Sequence, residues 1–166
     1  SSEKTWLTSI LKNKIIDAYR KKERRPEAVS DEVFYSQFFE INDEQEDFTR
    51  PWLEQSPYVD KIKFYIGDAL ERVPQLGITF DLVFVDGDKR KYMEYYEMSL
   101  AHLSPGGYII ADNTLWDGHV TETPNPNDAQ TIGIQAFNEF VAKDNRVEKV
   151  ILPLRDGLTI IRKKNE

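Results

Sequence analysis

Two stretches decide the fold: Phe80-Asp81-Leu82-Val83-Phe84-Val85-Asp86-Gly87-Asp88-Lys89 and Pro105-Gly106-Gly107-Tyr108-Ile109-Ile110-Ala111-Asp112-Asn113-Thr114-Leu115-Trp116-Asp117-Gly118. In each, a short apolar run (80–85 and 108–111) ends abruptly in an acid. Such runs are expected of strands covered on both faces in a parallel sheet. Residues 91–103 between them have helical composition and stop before Pro105-Gly106-Gly107, so the unit is strand, helix, strand.

Working outward, the alternation persists. Upstream, 33–41 reads as a β-rich strand, 43–55 as a helix with Asn42 as N-cap and Pro51 to kink or shorten it, 61–66 as a strand and 69–76 as a short helix. Downstream, a polar loop leads to a helix over 128–143 with Ile134, Phe137 and Val141 on one face. Strands at 148–153 and 158–162 are close enough to pair as an antiparallel hairpin. At the N-terminus, Leu7, Ile10, Leu11, Ile15 and Ala18 have amphipathic helix spacing, ended by the charged run around Pro26. The expected class is α/β: a Rossmann-like, doubly wound, mostly parallel sheet with a C-terminal antiparallel hairpin. A chain of 166 residues is expected to form a single domain over 1–166, with 1–39 as an atypical N-terminal segment.

Composition narrows the chemistry. There are no cysteines and only two histidines, His102 and His119, which removes thiol nucleophiles, disulfides, thiolate zinc and His-rich metal sites. Any metal must be held mostly by oxygen. No apolar run is long enough for a bilayer and no signal peptide stands out, so a cytoplasmic protein with no membrane partner is the expectation. The net charge of −7 argues against a nucleic-acid partner, although residues 1–25 carry eight basic against three acidic side chains. That basic segment reads as a solvated helix face.

In an open parallel sheet, ligands bind beyond the carboxyl ends of the strands. Asp86 and the pair Asp112-Asn113 fall there. Two carboxylates and an amide oxygen form a hard donor set suited to Mg²⁺, Ca²⁺ or Mn²⁺. The competing reading is that Asp86 and Asp112 cap the helices that follow them. Tyr92, Tyr95 and Tyr96 read as core at helical spacing, His119 as an exposed loop residue and His102 as a helix C-terminal residue. Arg155 and Asp156 read as turn or subunit-contact residues, and the expected assembly is a homodimer.

These two stretches, with Ile66-Gly67-Asp68-Ala69-Leu70 upstream and 147–163 downstream, resemble the divalent-cation-dependent O-methyltransferases that use S-adenosylmethionine, the group of caffeoyl-CoA and catechol O-methyltransferases. The resemblance covers roughly residues 40–164. It implies Asp86, Asp112 and Asn113 as metal ligands, with Asp86 also beside the cofactor, and Lys89 as catalytic base. It further implies Glu40 on the cofactor ribose, Asp68 and Ala69 at its adenine, and Trp116 as a wall of the acceptor pocket. A small aromatic diol would be held by the cation through adjacent oxygens, and Lys89 could take the proton before in-line methyl transfer.

One departure is large. The family's first strand and its Gly-rich turn should precede Glu40 by some 25 residues, yet no glycine occurs in residues 1–66. Without that strand, a doubly wound sheet has a gap of about two strand spacings, roughly 9.6 Å. Either a segment is missing between Phe39 and Glu40, or the N-terminal segment substitutes for it and cofactor binding is impaired. The second case gives the alternative function: a methyltransferase-like protein acting as an interaction or structural subunit. A smaller departure is Gly87, where the family more often has Ala, with little effect expected.

Overall fold

The computed structural model describes residues 35–39 and 43–165, with side chains from residue 49 onward. The expected N-terminal helix, the Asn42 cap, Glu40 and the junction after Phe39 lie outside the described residues. The elements are β1 (Tyr35–Phe39), α1 (Asp43–Glu54), β2 (Ile62–Ile66), α2 (Ala69–Gln75), β3 (Phe80–Val85), α3 (Tyr92–Ala101), β4 (Leu103–Asp112), α4 (Ala129–Lys143), β5 (Val147–Leu152) and β6 (Leu158–Lys163). Short 3₁₀ turns at Val59–Lys61, Lys89–Lys91 and Trp116–Thr121 complete them. Helix α1 ends at Glu54, soon after Pro51.

The α/β alternation is as expected, and the ladder is interrupted. β1 pairs with β2 in parallel, while β3, β4, β6 and β5 form a separate sheet in that order. β3–β4 is parallel, and β4–β6 and β6–β5 are antiparallel, which includes the expected hairpin. Among the described residues, no ladder joins β1 or β2 to β3. The interruption lies where the resemblance places the absent Gly-rich strand.

Two expectations are corrected. Helix α3 stops at Ala101, and β4 begins at Leu103, five residues before the apolar run at 108. Leu103 pairs with Phe80, the register then shifts, and Tyr108 pairs with Leu82. Pro105-Gly106-Gly107 is therefore absorbed as an irregularity within the strand, where a proline need not donate to the ladder. The second correction concerns burial. In β3, Val85 is buried, but Leu82 is 57% and Phe84 40% exposed, so these two positions are less deeply buried than a strand covered on both faces would make them. The buried side of the sheet is the one under α3 and α4, where Val85, Ile109, Ala111 and Ile161 meet Tyr92, Tyr96, Leu100, Ile134 and Phe137. Edge-to-face rings, Tyr92 on Phe137 at 5.5 Å and Tyr96 on Phe137 at 6.1 Å, lock the two helices over the sheet.

Candidate active site at the tips of β3 and β4

Parallel register brings the two acids together. Val85 is opposite Ala111, so Asp86 and Asp112 each sit one step beyond a paired position on neighbouring strands. The loops after them are shaped by other residues. Asp88, not Asp86, accepts from the Arg90 amide to start the 3₁₀ turn. Asp68 caps α2 through the Leu70 amide at 2.8 Å, and Asp128 caps α4 through the Thr131 amide at 3.1 Å. The capping reading of Asp86 and Asp112 thus gives way. Asp112 Oδ1 instead accepts from the Asn113 amide at 2.8 Å, in a turn where Asn113 has φ 57°.

Asp86 is half-exposed, with its Oδ1 accepting from Lys89 Nζ at 3.0 Å. Lys89 itself is only 6% exposed. Its backbone amide donates to Gln130 Oε1 of α4 at 3.2 Å, and its ammonium also donates to the Tyr92 hydroxyl at 2.5 Å. That hydroxyl lies 3.0 Å from the Asp112 carbonyl and 3.3 Å from the Val85 carbonyl, so one phenol touches the ends of both strands. Burial first, and then the charges of Asp86 and Asp112, push the Tyr92 hydroxyl well above the usual phenol range, keeping it protonated. Beside this group, Lys91 Nζ pairs with Asp68 Oδ2 at 3.2 Å. The Leu70 amide, more than Lys91, holds the Asp68 carboxyl below its ordinary value.

The loop after β4 has an unusual backbone. Trp116 and Asp117 adopt left-handed φ of 48° and 49°, conformations rarely taken by non-glycine residues. They persist because the loop is fastened from two sides. The β5–β6 connection accepts from the Thr114 amide at Gly157 O (3.1 Å), from the Leu115 amide at Asp156 O (2.9 Å) and from the Asp117 amide at the Asp156 carboxylate. Helix α4 adds Asn138 Nδ2 donating to Thr114 O at 2.7 Å and Gln135 Nε2 donating to Glu122 O at 2.8 Å. Trp116 packs partly buried against the core.

A family model described as O-methyltransferase matches residues 37–164. The chain belongs to this O-methyltransferase family. It is 33% identical over 134 residues to caffeoyl-CoA O-methyltransferase 1 of Eucalyptus globulus, covering 75% of this chain and 54% of that protein. It is 43% identical over 88 residues to probable caffeoyl-CoA O-methyltransferase 1 of Dictyostelium discoideum, 52% of this chain and 38% of the relative. The O-methyltransferase from Bacillus cereus, solved in complex with SAH, superposes with a TM-score of 0.73 at 27% identity, over 79% of this chain and 63% of that one. The chain thus spans about half the length of the curated relatives it matches.

Within this O-methyltransferase-family chain, Asp86, Lys89, Asp112, Asn113 and Trp116 fall at one end of β3 and β4, while Asp68 and Ala69 open α2 after β2. Among the described residues no three His, Cys, Asp or Glu side chains cluster as a metal cage. The donor set here has two such groups and an amide. Its fit to a hard cation rests on the adjacent strand tips and on carboxylates not committed to helix capping. Tyr92, Gln130, Gln135, Asn138 and Asp156 are contributors that sequence reading missed as site residues. His119 is exposed and pairs with Glu122, and His102 closes α3 through the Met98 carbonyl, as expected.

Proposed function

We propose that the chain transfers a methyl group from S-adenosylmethionine to a hydroxyl of a small catechol-like aromatic acceptor, with a divalent cation at the tips of β3 and β4. The observation supporting this is the parallel register that sets Asp86 beside Asp112, with the buried Lys89 amine against Asp86. Asp86, Asp112 and Asn113 would hold the cation, whose charge favours the ionised acceptor hydroxyl when bound. Lys89, as the neutral amine, accepts the hydroxyl proton and becomes the ammonium that donates to Asp86 and Tyr92. Trp116, fixed by its fastened loop, orients the planar acceptor so that oxygen faces the methyl donor, and positioning of this kind is most of the required catalysis. Asp68 and Ala69 belong to the donor side, at the opening of α2 after β2. We assign the protein to the cytoplasm as a homodimer.

Isothermal titration of S-adenosylmethionine with and without Mg²⁺, together with an intact mass, tests the reading. Binding, with methyl transfer that a chelator abolishes, is the expected result. A second reading is favoured by the interrupted ladder between β1 and β3 and by the absence of glycine before residue 67. In it the chain is a methyltransferase-like interaction subunit that binds no cofactor. No heat at millimolar S-adenosylmethionine, from a protein of 19.4 kDa with an intact sheet, would establish that reading and overturn the first.

A further inference from the structure

Tyr92 is wholly buried, and its hydroxyl, unlike its ring, has polar neighbours. The ring is fully buried against Tyr95 and Phe137, and the oxygen emerges between the ends of β3 and β4. A phenol has one proton to give and lone pairs to receive. The shorter carbonyl contact, Asp112 O at 3.0 Å against Val85 O at 3.3 Å, is the better acceptor for that proton. The lone pairs are then turned to Lys89 Nζ at 2.5 Å, which also stands 4.6 Å from the ring centroid. Lys89 thus has two partners of different character: the Asp86 carboxylate, which is half-exposed, and a neutral hydroxyl anchored on backbone.

That difference matters when Asp86 is engaged by a ligand. An ammonium group in a 6% exposed residue is costly to leave without a partner, and a lysine that loses one swings its head to water. We propose that Tyr92 is a positioning residue that keeps the Lys89 amine at the mouth of the site while the Asp86 carboxylate is occupied. The inference rests on the proposed role of Lys89 as proton acceptor, and its test does not require activity.

In the full chain, ¹⁵N relaxation of lysine side-chain ammonium groups reports how firmly each is held, with the Lys89 signal assigned by its loss in K89R. The ammonium should behave as a rigid one in the wild type and in D86A, where the carboxylate partner is gone, and adding Y92F to D86A should lower its order parameter about twofold, into the flexible range. Y96F is the control. It removes another tyrosine hydroxyl bond, to Asp144 Oδ2 at 2.9 Å, from the same helix and should leave Lys89 unmoved. A Lys89 order parameter in the flexible range in the wild type or in D86A, no change on adding Y92F, or equal loosening in Y96F would each overturn the inference. Because the wild-type measurement can refute it alone, misfolding of Y92F does not shield it. Where methyl transfer is measured, Y92F should lower kcat about tenfold to a hundredfold with KM nearly unchanged. A KM change at constant kcat would count against it. An inactive wild-type protein would refute the proposed function and leave the relaxation result to decide this one.

Discussion

Gly133 lies in α4 over the turn that carries Lys89. A Cβ built there would stand 2.4 Å from the Lys89 carbonyl oxygen, 2.8 Å from Arg90 Cα and 3.0 Å from the Lys89 carbonyl carbon. All three are backbone atoms, so no side chain can rotate away. Restoring ordinary contact needs the helix or the turn to retreat by about 1 Å, in a core packed at crystal-like density. Two effects oppose each other in Gly133→Ala. Helix propensity favours alanine by about 1 kcal/mol. Overpacking costs about 1–3 kcal/mol, and the retreat also pulls the Lys89 amide from Gln130 Oε1 at 3.2 Å. The collision should win, giving a net loss of about 1–2 kcal/mol and a Tm lower by about 3–6 °C. Thermal denaturation followed by circular dichroism measures this. The sign is decisive, since a variant that melts at or above the wild-type temperature would show that the close approach of α4 is not what seats the turn.

Three further outcomes are expected. Hydrogen bonds from Arg146 hold the Asp144 carboxyl down at about 2 against an ordinary 3.8, with its side chain only 6% exposed. A depressed carboxyl stabilises above its unfolded value, so about 2 kcal/mol is present above pH 4 and lost between about pH 4 and 2; wild type and D144N compared by urea unfolding across that range should converge, and parallel curves would contradict the assignment. Gly157 has φ +84° and would place a Cβ 2.5 Å from Leu115 Cγ and 2.8 Å from Leu115 N, so G157A should lose about 1–3 kcal/mol in urea denaturation and an unchanged midpoint would refute the tie. A two-stranded sheet is marginal alone, so backbone amides of β1 and β2 should exchange about tenfold or more faster than those of β4 and β6; uniform protection would deny the interruption its energetic meaning.

The site was readable in the sequence where composition alone decides structure. Apolar runs ending in Asp86 and Asp112 mark strand tips, and their adjacency follows once consecutive strands pair in parallel. Asp128 as the start of the last helix was equally legible, because a short acceptor before an apolar face is a start signal. Tyr92 was half legible. Helical spacing places its ring in the core and says nothing of a hydroxyl reaching past the ring to the strand ends. Gln135 and Asn138 occupy positions on α4 that look like a solvent face, and only the tertiary path of the 114–122 loop turns them into fasteners. The left-handed Trp116 carries no local mark, since its residue type does not favour that conformation, and Asp117, of a type that visits it more often, carries a weak one.

The interruption of the ladder separates the two halves of the proposed chemistry. Asp86, Lys89, Tyr92, Asp112, Asn113 and Trp116 are all supported by β3, β4 and β6 under α3 and α4, a body with its own core and its own loop fastenings. Asp68 and Ala69 follow β2, on the other side of the interruption, tied across by Lys91 and by Ala69 and Leu70 packing against the core. Nothing in the first group requires a strand between β1 and β3, whereas a sheet presenting a methyl donor to that group does. The proposed cation side therefore rests on the β3–β4 register, and the proposed acceptor side on the loop fastened by α4 and the β5–β6 connection, so loss of donor binding would leave both geometries intact. Calorimetry that finds Mg²⁺ binding abolished by D112N, in a chain that binds no S-adenosylmethionine, is the combination this separation allows, and loss of both together would contradict it.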